Sequence, residues 1–404
     1  MSIALRPITT DEVPTFRSVI AVGFGHDYKP AGDERFLSLM PLERTVAAFD
    51  GDEMVATLGD FPLQLTVPGG AQVTMAGTSM VVVQATHTRR GILRAMIRRH
   101  LDNAVERGEP VAGLWASEPG IYGRFGFGLA SECHDVKIDA RHVTAPTTAD
   151  DVQLSMMPAS KIPDVVVPFW HQIANERAGF IDRGEPRWQD IMNDPEANRD
   201  GATAARHVVA RRGDDVVGYM EYRQQSKWEE FVSNGSVGIS TLVASDTDAH
   251  MALWAYALDV DLFPHVSFWN GAIDDPLAYQ LRESRTVKKV VSDALYVRVL
   301  DVAAALTARS FEQDGQIVFT VTDDMEYING TYRLTVTEGI AAVEPTTAAA
   351  DVVLGARELG ALFLGRVCAD LYSSTGHITG DALAIRTLGQ IFATARAPWC
   401  PEMF

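Results

Sequence analysis

The segment Met80–Ala130 reads MVVVQATHTRRGILRAMIRRHLDNAVERGEPVAGLWASEPGIYGRFGFGLA. It opens on Met80-Val81-Val82-Val83, an apolar β-branched run short enough for a buried strand. Polar residues then lead to Arg89-Arg90-Gly91, where a helix is expected to begin. Ile92, Leu93, Met96, Ile97, Leu101 and Val105 recur at helical spacing on one face, Arg94, Arg98, Arg99 and Glu106 take the other, and Gly108 ends the run. A second short strand, Val111 to Trp115, follows. Ser117-Glu118-Pro119-Gly120 and the run Ile121-Tyr122-Gly123-Arg124-Phe125-Gly126-Phe127-Gly128 come after it. The order is strand, tight turn, helix, strand.

That order has a chemical consequence. The first N–H groups of a helix have no partner within it, and the helix dipole favours negative charge there. A pyrophosphate fits such a terminus. Arg89 and Arg90 add positive charge, and Gly91 lets backbone approach a ligand without a Cβ in the way.

The combination of a VxVxxTHxRRGIL-type run, then Ala116-Ser117-Glu118, then IYGRFGFG, with a final Phe404, resembles the enhanced intracellular survival (Eis) family of aminoglycoside acetyltransferases within the GNAT superfamily. One departure is Thr88, where that family commonly has a third arginine. The resemblance implies that acetyl-coenzyme A is the cosubstrate, held by Val81, Val82, Val83, Arg89, Arg90, Gly91, Ile92 and Ser117. It implies that the Val81 N–H polarises the thioester carbonyl. It also implies that Phe24, Asp27, Glu118 and Glu402 face the amine substrate, that several amines on one molecule react, and that the protein is a homohexamer.

Two residues could carry the proton transfers. By type, Tyr122 is either a packed aromatic or a phenol that protonates a departing thiolate, and the resemblance of its whole run implies the second. At Phe404 the chemistry lies in the chain's own α-carboxylate, which has an ordinary pKa of ~3.5 and can accept an ammonium proton at neutral pH. Most chain ends fray. The tail Ala397-Pro398-Trp399-Cys400-Pro401-Glu402-Met403-Phe404, with two prolines and two aromatics, suits an end that packs, and the resemblance implies a general base. His87 reads as structural. No metal-ligand cluster, catalytic triad or GxxxxGK[ST] loop is present in the sequence, so no metal is expected.

The chain of 404 residues is long enough for two or three domains at roughly 150 residues each. Its formal charge of −18 argues against nucleic-acid binding. An acidic cleft for a polycation and simple solubility both account for that charge. Cys133, Cys368 and Cys400 are scattered, with neither disulfide nor metal spacing. No apolar run reaches the ~20 residues that span a bilayer, and the start MSIALRPITTDEV lacks a signal pattern, so a cytoplasmic protein without membrane insertion is expected.

Read in order, Ala4 to Asp11 is a strand leading to a helix start with Thr10 or Asp11 as N-cap. Gly23 to Tyr28 is either a helix connector or a pocket wall, and the resemblance favours the wall. Thr45–Asp50, Glu53–Asp60, Phe61–Val67 and Gln72–Ala76 read as successive strands, and Ser131–Asp139 as the strand that closes the first domain. The resemblance implies a mixed α/β (α+β) fold: a catalytic GNAT domain over residues 1–145, a degenerate GNAT-like domain over 146–295, whose order of helices, hairpin, strand and helix repeats that of the first, and a sterol-carrier-like domain over 296–404. In the second domain the turn Ala244-Ser245-Asp246-Thr247-Asp248 replaces glycine and arginine with carboxylates that would repel a pyrophosphate, so coenzyme A is not expected there. Thr346–Leu354 is ambiguous between helix and strand. Acetylation of protein lysines, polyamines or peptide amines is the alternative activity, and a noncatalytic acyl-coenzyme A or lipid-binding protein is the alternative class.

Overall fold

The computed structural model describes residues 3–404. These form two compact units. One holds the chain up to Ser131 with Ala294–Pro398 and Glu402–Phe404, and the other holds Glu132–Asp293 with Trp399–Pro401.

In the first unit the elements are β1 (Ile3–Arg6), α1 (Val13–Gly23), α2 (Asp33–Leu39), β2 (Val46–Asp50), β3 (Glu53–Thr66), β4 (Gln72–Val83), α3 (Ile92–Glu106), β5 (Val111–Trp115), α4 (Pro119–Tyr122) and β6 (Gly128–Leu129). The entry to α1 is a single 3-10 turn whose N-cap is Thr9, one residue before the expected cap, with the Glu12 carboxylate accepting the Thr9 N–H at 2.9 Å. The sheet runs β1-β2-β3-β4-β5, then the strand Leu295–Val299, then β6. On one face α3 buries Met96, Ile97 and Leu101 against Ala48, Ala56, Ala76 and Ala112, small side chains that let the helix lie close. On the other, Phe16 and Val19 of α1 cover Ala47, Phe49 and Val82. Each such aliphatic side chain contributes roughly 1.5–3 kcal/mol on burial.

Two pairs of expected strands are each a single strand. Glu53–Asp60 and Phe61–Val67 form one continuous β3, because the Asp60 charge marks no turn. Asp60 is buried and paired at 3.0 Å with Arg44, itself buried. Gln72–Ala76 likewise runs on through Gly77-Thr78-Ser79 into Met80–Val83 as β4.

Between β4 and β5 the pairing is parallel and short, from Met75↔Val111 to Gly77↔Gly113. Beyond Gly77, β4 continues to Val83 while β5 ends at Trp115 paired to Leu295 on its far side, so the two strands diverge. A bulge sharpens the divergence. Thr57 pairs with Val82 and Gly59 with Ser79, which sets Met80 and Val81 together against Leu58, and Met80 takes φ +54°.

The remainder of this unit is a five-stranded sheet in the order Ile340–Pro345, Gly330–Thr337, Gly315–Thr322, Val352–Gly355, Ile378–Gly380. The ambiguous segment near Thr346 thus ends in a strand. Helices Val302–Ala308, Ala356–Leu362, Ala369–Ser374 and Ala382–Phe392 accompany the sheet. Buried Arg309 donates to the carbonyls of Phe363 (2.6 Å) and Phe392 (2.9 Å), satisfying groups at the ends of two of those helices. Helix Ala356–Leu362 approaches β6 so closely that a Cβ on Gly128 would lie 1.9 Å from the Arg357 carbonyl oxygen. Gly128 of the glycine-aromatic run therefore serves packing.

The second unit has its own seven-stranded sheet: Val152–Met157, Arg206–Arg212, Asp215–Gln225, Ser236–Ala244, His265–Ala272, Glu132–Asp139 and Lys288–Asp293. The segment expected to close the first domain thus pairs inside the second sheet, between His265–Ala272 and Lys288–Asp293. Its alternating pattern specifies a half-buried strand without specifying a partner. Again one central pair is parallel and short, Ser236↔His265 to Ile239↔Phe268, after which the strands part. Helices Ile162–Ala174, Glu185–Met192 and Thr247–Leu258 pack on a core rich in aromatics, including Trp170, Trp188 and Trp254. Trp269, on the strand His265–Ala272, is 41% exposed.

Candidate active site

The divergence of β4 and β5 opens a cavity of about 1110 Å³. Its walls are Ser79 to Val83 of β4, the loop His87 to Arg89, the first turn Gly91 to Arg94, Trp115 to Glu118, the Ile121–Phe125 region, Phe24, and the last two residues of the chain. Of the expected site residues it brings together Phe24, Val81, Val82, Val83, Arg89, Gly91, Ile92, Ser117, Glu118, Tyr122 and Phe404.

Three others are not among the lining residues. Arg90 is drawn to Asp50 at 3.1 Å, and this hydrogen bond holds the Asp50 carboxyl below its usual range. Asp27 is exposed on the connector after α1. Glu402 is buried, with its backbone carbonyl accepting the Trp115 indole N–H at 3.1 Å.

At one end of the cavity lies the start of α3. Gly91 is its N-cap at φ +79°, and a Cβ there would meet no atom within 4 Å, so only the backbone conformation calls for glycine. Arg89 also has a positive φ of +61°, a conformation costly for a side-chain-bearing residue, and its guanidinium is exposed. The Gly91 carbonyl already receives the Ala95 N–H, whereas no acidic side chain lies in the first turn to cap the N–H groups before it. An anion is the natural partner for that terminus. With Arg89, Arg94 and Arg124 on the lining and Glu118 its single acidic side chain, the cavity is more cationic than the chain as a whole.

At the other end Tyr122 closes α4, 8% exposed, its ring edge-on to Phe127 at 6.1 Å between centroids. Burial pushes its phenol up to about 12, and the Glu118 carboxylate acts in the same direction. The group is therefore protonated at neutral pH and able to donate. Ser117 and Glu118 are exposed beside it.

Sequence reasoning passed over Thr78 and Trp115. Thr78 lies at the floor of the divergence, just past the last β4–β5 pair, with its hydroxyl 2.7 Å from His100 Nε2 on α3. His100 stands in turn 3.5 Å from Asp60, which Arg44 and Arg107 also hold. The legible signal was a histidine on the apolar face of α3. Among the described residues no group of His, Cys, Asp or Glu is arranged to hold a metal ion, and no helix is long and apolar enough to cross a membrane.

An acetyltransferase (GNAT) domain model matches residues 4–130, a second acetyltransferase (GNAT) model matches 179–299, and a sterol carrier protein domain model matches 302–401. The second span includes Leu295–Val299, although that strand pairs in the first sheet. The chain is 36% identical to an uncharacterized N-acetyltransferase of Streptomyces coelicolor over the full length of both, and 30% identical to the N-acetyltransferase Eis of Mycobacterium tuberculosis over 98% of each. The crystal structure of Eis1 from Mycobacterium abscessus superposes over the whole of both chains with a TM-score of 0.85 at 27% identity. A GCN5-related N-acetyltransferase from Anabaena variabilis shares the fold, with a TM-score of 0.86 at 18% identity. Two GNAT domains and a sterol-carrier-like domain make the chain an acetyltransferase, with the use of acetyl-coenzyme A that the fold implies, and it belongs to the Eis family of N-acetyltransferases.

Proposed function

We propose that the protein acetylates amines of aminoglycosides, several per molecule, by direct transfer from acetyl-coenzyme A. Arg89, Gly91 and the first turn of α3 receive the pyrophosphate, and Val81 to Val83 with Ser117 flank the pantetheine arm. The Val81 N–H, re-aimed by the bulge, polarises the thioester carbonyl. The Phe404 α-carboxylate takes the ammonium proton, the neutral amine attacks the carbonyl carbon, and the Tyr122 phenol gives its proton to the departing thiolate. Phe24 and Glu118 face the acceptor. The observation that carries this reading is the meeting of Tyr122, the diverged edge of β4 and the chain terminus on one cavity.

A second acceptor class has its own support. With one acidic side chain on the lining, a peptide or protein lysine amine suits the cavity without the multiple carboxylates that a polycation prefers. The deciding assay measures coenzyme A thiol release across aminoglycosides, polyamines and lysine peptides, using protein with a free C-terminus. Release beyond one equivalent per aminoglycoside is the expected result. Release only with peptides transfers the chemistry to the second acceptor, and silence with coenzyme A still binding removes the catalytic reading. Light scattering tests the homohexamer that membership of the family suggests, and the cytoplasm is the compartment where acetyl-coenzyme A is at hand.

A further inference from the structure

The second sheet diverges where the first does, but its diverged edge is already in use. Pairing between Ser236–Ala244 and His265–Ala272 stops at Ile239↔Phe268. Two residues further on, Asn270 donates from Nδ2 to the Cys400 carbonyl at 3.0 Å and accepts the Trp399 indole N–H on its own carbonyl at 3.1 Å. The Trp399 backbone N–H donates to the Ala178 carbonyl at 2.9 Å. Trp399 is 6% exposed, its ring edge-on to Phe180 at 5.4 Å with the Arg177 guanidinium 5.4 Å over its face. Gly179, at φ +99°, makes room, since a Cβ there would stand 2.8 Å from the Trp399 carbonyl oxygen. Every residue in this arrangement belongs to the second unit.

We infer that the diverged edge of the second sheet is a binding site for an extended, indole-bearing peptide, and that its occupant is the chain's own segment Trp399–Pro401. Each of the three hydrogen bonds uses a backbone group on at least one side, and the buried indole is the anchor. The first sheet carries a counterpart at the equivalent position. Trp115, two residues past the last pair Gly113, donates to the Glu402 carbonyl at 3.1 Å. A peptide seated at Asn270 excludes a pantetheine arm from that edge.

The test uses the full chain. Cys400 is 0% exposed within the bound segment, and Cys133, 2% exposed on the strand Glu132–Asp139 of the same unit, reports on whether that unit stays folded. Thiol alkylation followed by mass spectrometry gives a rate for each. Asn270→Asp replaces the donor to the Cys400 carbonyl with an acceptor, and Trp399→Phe keeps the ring packing while removing the indole N–H. Alkylation of Cys400 at least about tenfold faster in either variant, with Cys133 as protected as in the parent, is the expected result. Unchanged protection of Cys400 in both, or exposure that always accompanies Cys133, overturns the inference.

Discussion

Both units build a sheet with one short parallel pair that diverges, then follow the diverging strand with a helix, yet the two helix starts are chemically opposite. In the first unit Gly91 and Arg89 adopt left-handed backbone and leave the α3 terminus uncapped. In the second, Asp246 caps the helix Thr247–Leu258 by accepting the Ala249 N–H at 2.9 Å and pairs with Arg212 at 2.7 Å. Burial opposes ionisation of Asp246, but Arg212 and the Ala249 N–H together hold its carboxyl below the usual range. A helix terminus satisfied from within has no call for an anion. The short helices after the two diverging strands differ as sharply: Tyr122 of Pro119–Tyr122 is 8% exposed, whereas Tyr279 of Leu277–Gln280 is 88% exposed. A fold that supports catalysis can thus be kept as scaffold while its ligand-facing groups are satisfied internally.

The largest expected effect separates the two tyrosines. Tyr122→Phe should lower kcat by ~100-fold or more, the usual scale for losing a general acid, while Tyr279→Phe leaves it unchanged. Equal effects would erase the distinction between the units. Because burial shifts the Tyr122 phenol up to about 12, the kcat profile of the parent should show no alkaline loss from this group below pH ~11, where a phenol of ordinary pKa would already be ionised.

Next comes the chain end. Adding a short C-terminal extension should reduce turnover by roughly 100-fold if the Phe404 carboxylate is the base, with coenzyme A affinity changed little. An N-terminal tag of equal length is the control, and equal turnover in the two proteins would remove the assignment.

Coenzyme A binding sharpens the contrast at the helix starts. Calorimetry should find one site per chain. Arg89→Ala should weaken binding by about tenfold, as expected for a lost charge-assisted contact, and Arg212→Ala should leave it unchanged. Two sites per chain would refute the account of Asp246. Smallest is Gly91→Ala, which forces a side chain into φ +79° without a clash and should cost about 1 kcal/mol in thermal or denaturant unfolding.

Much of the site was legible because its parts are contiguous: the strand, turn and helix from Met80 to Glu106, and the tyrosine run soon after, lie within about fifty residues. The side chains that failed to reach the cavity did so for reasons a sequence does not display. Arg90 has a competing carboxylate forty positions away at Asp50, and Glu402 lies in a packed tail. Strand membership was the other hidden quantity. The pattern of Glu132–Asp139 marks a strand but carries no address, and Leu295–Val299 joins a sheet whose other strands are all encoded before Ala130. Asp60, at the boundary expected between two strands, lies within one, where buried Arg44 pairs its charge.

The placement of Leu295–Val299 also sets a timetable for synthesis. Its partner β5 leaves the ribosome about 180 residues earlier, and at ~5–20 residues per second the edge of β5 waits roughly 10 to 40 s for the strand that covers it. A nascent chain that has finished the cavity residues up to Phe125 is therefore still an open sheet, with backbone donors and acceptors available to other nascent chains. Catalytic competence arrives late in translation, and a gene shortened to encode only the first acetyltransferase region would yield a product whose hazard is aggregation as much as inactivity.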